Sequence, residues 1–113
     1  MNSVESWNGY HSMIPESSNW ENKIPAKIFL LIPFYSPLLM ARRVKCKSLI
    51  IAARYDSLIP VKAVKRTARR IKNSKLVILE SNHFQPYFNE MFEKNIKIEI
   101  DFLREILTDN RNN

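Results

Sequence analysis

"LIIAARYDSLIP", Leu49 to Pro60, is an apolar run that stops on a single acid and meets a proline shortly after it. Leu49 to Ala53 has strand length, with β-branched residues at its centre and apolar residues on both faces, the habit of a strand covered on both sides in a parallel sheet. Pro60 suits the first turn of a helix, where its missing N–H costs nothing. In the following "VKAVKRTARRIKN", Val64, Ala68 and Ile71 form one stripe, while Lys62, Lys65, Arg66, Arg69, Arg70 and Lys72 fall opposite, so the spacing predicts a surface helix with a basic outer face. Asn73 is read as its left-handed stop, and "KLVILE", Lys75 to Glu80, as a second strand. Strand, helix, strand predicts a right-handed crossover between parallel strands. Asp56, and His83 in "ESNHFQPY" (Glu80 to Tyr87), then share the carboxyl edge of one sheet, where sites on open α/β sheets gather.

Beyond this unit, Asn89 to about Leu107 reads as a closing helix, with Asn89 as N-cap and Glu90 and Glu93 suiting the dipole of the first turn. Phe92, Ile96, Ile100, Leu103 and Leu107 recur at helical spacing, widened by Ile98, Phe102 and Ile106, which predicts a largely buried stripe. "TDNRNN" is a polar tail. On the N-terminal side, residues 1 to about 24 show no sustained period and read as a loose lead-in. "AKIFLLIPFYSPLLM", Ala26 to Met40, is interrupted by Pro33 and Pro37 and reads as a short helix followed by an extended apolar segment.

The 113 residues suit one small domain, and 45% hydrophobic with 26% charged residues is globular composition. No apolar stretch approaches the roughly 20 residues that span a bilayer, and the N-terminus has no leader pattern, so a cytoplasmic protein with no membrane partner is expected. Cys46 is the single cysteine, which excludes an internal disulfide. His11, His83 and Cys46 lack ligand spacing, so neither metal nor cofactor is expected. The net charge is +7, and between Arg42 and Lys75 Asp56 is the one acid. That block suits either a solvated helix face or a polyanion contact.

An acid after one strand and a histidine after the next can pair, the carboxylate fixing the imidazole tautomer and stabilising its protonated form. Taken singly, Asp56 is also a natural turn residue before Pro60 and His83 an ordinary loop histidine.

From Val44 to Leu107 the sequence resembles the C-terminal part of α/β-hydrolases, in which a strand delivers the triad acid in a D-x-x-x-P context and the next strand delivers histidine in a G-H-F-like turn before a final helix ending in F-L. Asp56 with Pro60, His83 with Phe84, and Phe102 with Leu103 carry the match. Glu21 to Val44 is similar to the segment leading from the cap into the acid-bearing strand. The resemblance implies an α/β fold: residues 1–43 a helical or irregular cap-derived lead-in, 44–108 a βαβα fragment of the hydrolase domain, 109–113 the tail. It assigns Asp56 and His83 as catalytic acid and base. The sequence departs from the family's pattern at Asn82, where glycine is usual, so the turn must tolerate a side chain, and asparagine accepts left-handed dihedrals better than most residues. Lys47 stands for a common proline, and Gln85 stands where relatives often carry an acid.

Acyl transfer in that family needs G-x-S-x-G and backbone donors for the oxyanion, whereas Gly9 is the one glycine here. The expected product is a truncated α/β-hydrolase, of ester, thioester or amide type, with acid and histidine but no nucleophile. It is either inactive alone, completed by a separate N-terminal chain for a small acyl substrate, or a decayed remnant. The alternative is a basic binding module contacting nucleic acid or another polyanion through Lys62 to Lys72; the lack of interleaved aromatics for base stacking speaks against nucleic acid.

Overall fold

The computed structural model describes residues 4–21 and 23–109, and the chain divides into two compact units, residues 1–36 and 37–113. The first holds helix α1, Val4–Met13, helix α2, Ile28–Leu31, and a 3-10 turn, Ile32–Phe34. Where a loose lead-in is expected, ten residues are helical. Their apolar positions follow no stripe, so periodicity is silent. Local terms favour the helix instead: Glu5 suits the N-terminal dipole, and Trp7 and His11, one turn apart, bring their rings to 4.2 Å. Trp20 meets His11 edge-on at 6.3 Å.

The second unit is mixed α/β. Helix α3, Pro37–Met40, and a 3-10 turn, Ala41–Arg43, lead into strand β1, Ser48–Ala53; then come helix α4, Val61–Ala68, strand β2, Ser74–Leu79, a 3-10 turn, Gln85–Tyr87, and helix α5, Asn89–Asp109. The extended segment expected before Met40 is thus largely helical turns. Pro33 lies in the first turn of one and Pro37 opens another, positions where proline initiates rather than breaks. Tyr35 alone is shown extended, at φ −100° and ψ 104°.

β1 and β2 are parallel, in register from Ser48 opposite Ser74 to Ala53 opposite Leu79. Ser48 N–H donates to Asn73 O at 2.9 Å, opening the ladder. Past the strands, Arg54 N–H reaches Leu79 O (2.8 Å) and Tyr55 N–H reaches Ser81 O (3.0 Å), so the pairing carries on to the loops that hold Asp56 and His83. α4 contacts both strands.

α4 stops at Ala68 and the chain tightens through Arg70 N–H to Thr67 O (2.9 Å) and Ile71 N–H to Ala68 O (3.1 Å). Asn73 does not close it with a left-handed backbone. Among the described non-glycine residues only Asn89 has positive φ, at 50°; Asn73 instead donates its side-chain amide to Lys45 O at 2.8 Å. Asn89 in turn is not the cap of α5. It is the first residue of the helix, and Phe92 N–H bonds to the carbonyl of the extended Phe88 at 3.1 Å, which places the cap at Phe88.

The core is small: Ala41, Ala52, Ala68, Leu79 and Phe84. Alanines on β1 and α4 let backbones approach closely, and Leu79, 2% exposed, is its largest fully covered side chain. The stripe of α5 is not largely buried, for no residue of that helix is buried. Ile98, Phe102 and Ile106 are half-covered, whereas Phe92, Ile100, Leu103 and Leu107 are exposed. Two strands spaced by about 4.8 Å make a surface about one helix wide, too narrow for a stripe of that breadth. Among the described residues no helix is long and apolar enough to cross a membrane.

Candidate functional site

Asp56 stands just past β1, where the ladder runs out. Its Oδ1 accepts the backbone N–H groups of Leu58 and Ile59, both at 2.8 Å, an aspartate turn that swings the chain toward Pro60 and α4. Its Oδ2 lies 2.8 Å from His83 Nδ1. The two readings of Asp56 therefore coexist, one on each oxygen. The side chains are 9% exposed for Asp56 and 22% for His83. Partial burial pushes the Asp56 carboxyl up, but the His83 hydrogen bond, followed by the Ile59 and Leu58 amides, outweighs it and holds the group below the ordinary aspartate value.

An ionised carboxylate can only accept, so the neutral imidazole carries its proton on Nδ1 and leaves Nε2 as a base. That Nε2 makes no hydrogen bond to a described residue. The ring is held from below by the turn after β2. Asn82 Oδ1 accepts the N–H groups of Phe84 (3.1 Å) and Gln85 (2.9 Å), while Gln85 Oε1 accepts Asn82 N–H at 2.8 Å. This reciprocal pattern, that of a capping box, fixes the turn from Asn82 to Gln85 that leads into the 3-10 turn. Asn82 thus holds the turn through its side chain, and its backbone is not left-handed. Phe84, 6% exposed, meets the His83 ring edge-on at 4.9 Å between centroids.

Asp56 and His83 line a cavity of about 300 Å³, at the lower end of small-molecule sites. Ile51, Ile59 and Val64 supply apolar wall, and Tyr87 together with Asn95 and Glu99 of α5 further polar groups. Sequence reasoning missed the two on α5. Asn95 Nδ2 donates to Glu99 Oε1 at 3.0 Å, and Asn95 Oδ1 is covered without a hydrogen-bond partner. Their signal was present as two polar residues one turn apart inside an apolar stripe. Beside the cavity, Arg54 pairs with Glu80. The Arg54 hydrogen bond lowers the Glu80 carboxyl, and Glu80, by hydrogen bond and charge, raises the Tyr55 phenol.

Among the described residues no three His, Cys, Asp or Glu side chains gather as a metal site. His11 stacks on Trp7, and Cys46 is exposed, 3.7 Å from Ser48 Oγ. Gly9 lies within α1 rather than in a strand-to-helix elbow. The site thus presents a carboxylate, an imidazole and a small cavity of mixed polar and apolar lining.

No family model matches the chain. No solved structure matches it. Over 107 residues it is 31% identical to the quorum-quenching protein AidA of Acinetobacter baumannii (strain MDR-ZJ06), a similarity that covers 95% of this chain and 35% of that protein. The chain therefore spans about a third of the length of the relative it matches.

Proposed function

We propose that this chain is the acid-and-histidine portion of an α/β-hydrolase and works once a nucleophile-bearing polypeptide completes it. The observation that carries the reading is the 2.8 Å contact of His83 Nδ1 with Asp56 Oδ2 at the carboxyl ends of adjacent parallel strands. In that role Asp56 holds the imidazole with its proton on Nδ1 and stabilises the cation that forms. His83 Nε2 takes the proton of an incoming hydroxyl as it attacks an ester, thioester or amide carbonyl, and then returns it to the leaving group. The hydroxyl and the oxyanion donors come from the completing chain. A small acyl substrate suits the volume and apolar wall of the cavity. Quorum quenching, the activity in the relative's name, would then be a property of the completed protein.

The test is complementation. The part of AidA outside the matched region is mixed or co-expressed with this chain, and hydrolysis of p-nitrophenyl butyrate and labelling by a fluorophosphonate are followed. The expected result is turnover by the mixture, none by this chain alone, and none with His83→Ala. A stable complex with no turnover, or fluorophosphonate labelling of this chain alone, would overturn the reading.

A further inference from the structure

In the unit of residues 37–113, two chain segments rich in exposed cations are tied together. Arg70 Nη1 donates to Leu38 O at 3.1 Å and Asn73 Nδ2 to Lys45 O at 2.8 Å. These bonds tie the stretch from Leu38 to Lys45 against the end of α4 and the turn after it. Arg42, Arg43 and Lys45 therefore lie on a segment held against the one that carries Arg66, Arg69 and Lys72, and all six are exposed. Among the described residues none of the six has a carboxylate within salt-bridge distance; Lys62, Lys94 and Lys97 lack one as well, whereas Lys47, Arg54, Lys75 and Arg104 are each paired. Repulsion among so many unpaired cations is a standing cost that an anionic partner removes.

Two features separate the classes of polyanion. Leu39 and Met40, on the turn leading into Arg42, are 68% and 54% exposed, and a phosphate backbone offers such side chains nothing to bury against. No aromatic residue interleaves with the patch for base stacking, and the amide of Asn73, which could read a base edge, is spent on Lys45 O. Apolar side chains set among cations match a lipid surface, where the cations meet headgroup phosphates and the apolar groups enter the interfacial layer. We infer that this face docks on an anionic phospholipid surface, with Arg42, Arg43, Lys45, Arg66, Arg69 and Lys72 as contacts and Leu39 and Met40 as shallow anchors. The inference is independent of the hydrolase reading, and it concerns contact with a bilayer surface, not its crossing.

The test is co-sedimentation of the full chain with vesicles of phosphatidylcholine alone and of phosphatidylcholine with phosphatidylserine. Binding is expected only with the anionic lipid and should weaken as salt rises. Arg66→Ala with Arg69→Ala should lower the partition coefficient by roughly 25-fold, about fivefold per cation. Alanine suits Arg66 at an exposed helix position and is tolerated by the right-handed helical backbone of Arg69, the C-cap, and circular dichroism checks that the fold is kept. Leu39→Ser with Met40→Ser should reduce binding that persists at high salt. Equal binding to neutral vesicles would overturn the proposal, as would an unchanged partition of the arginine variant. So would displacement from vesicles by a short DNA duplex that binds more tightly, which would assign the face to nucleic acid.

Discussion

Asp56 meets His83 with one oxygen only: Oδ2 faces the imidazole at 2.8 Å while Oδ1 is occupied by the amides of Leu58 and Ile59. The carboxylate is thereby fixed in rotation before it meets the ring, which is what a tautomer-setting acid requires.

Asp56→Asn keeps an oxygen for the two amides but presents the wrong partner to Nδ1. If the proposed hydrolase reading holds, in the complemented protein it should lower kcat by about 10⁴-fold, the loss that this change causes in Ser-His-Asp sites. Circular dichroism of the isolated chain should be unchanged. A fall of less than tenfold in kcat would remove Asp56 from the mechanism.

The same carboxyl ties stability to pH. Its folded pKa lies below that of the unfolded chain, so the unfolded state takes up protons first. The contribution is therefore fully present above about pH 3.9, the ordinary aspartate value, and is lost as pH falls through the folded pKa. Acid titration followed by denaturant melts should show this limb in the native chain and a weaker one in Asp56→Asn.

The capping box under His83 should be cooperative. Asn82→Ala removes two accepted hydrogen bonds and Gln85→Ala one, each costing about 0.5–2 kcal/mol. The double variant should cost less than the sum, because each bond holds the backbone in the conformation that the other needs. Urea denaturation of the four proteins measures the coupling. Strict additivity would show that the two side chains act separately.

The exposed stripe of α5 makes a contrasting prediction with the core. Leu103→Glu, at a position 57% exposed, should change stability by no more than about 0.5 kcal/mol and should reduce self-association in light scattering. Ala68→Leu, at a position 5% exposed between α4 and the sheet, should cost about 1–3 kcal/mol by overpacking.

Strand, helix, strand and the shared edge of Asp56 and His83 were legible because they rest on chain order and on where apolar runs stop. Legibility failed where a residue type tolerates several roles. Asn73, Asn82 and Asn89 each invited a role at an element's end or a left-handed backbone. Asn73 spends its side chain on Lys45 O, Asn82 caps a turn, and Asn89 alone takes positive φ, as the first residue of a helix. Pro37 was read as a break because a proline that opens a helix and one that ends it look alike in one dimension. The stripe of α5 was read as buried because spacing reports which side chains share a face, not whether a surface of equal width exists to cover them. Asn95 and Glu99 were passed over for the same reason, their polarity hidden among apolar neighbours.

Ser48 and Arg54 turn their amides toward β2, and in a parallel ladder the N–H groups of alternate residues point to opposite sides. Those of Leu49, Ile51 and Ala53 accordingly point away, and among the described residues no strand lies there to receive them. Transferred to heavy water, β1 should lose its protons in an odd–even rhythm, with fast exchange at 49, 51 and 53 and slow exchange at 50 and 52. A polypeptide that settles along that open margin would erase the rhythm.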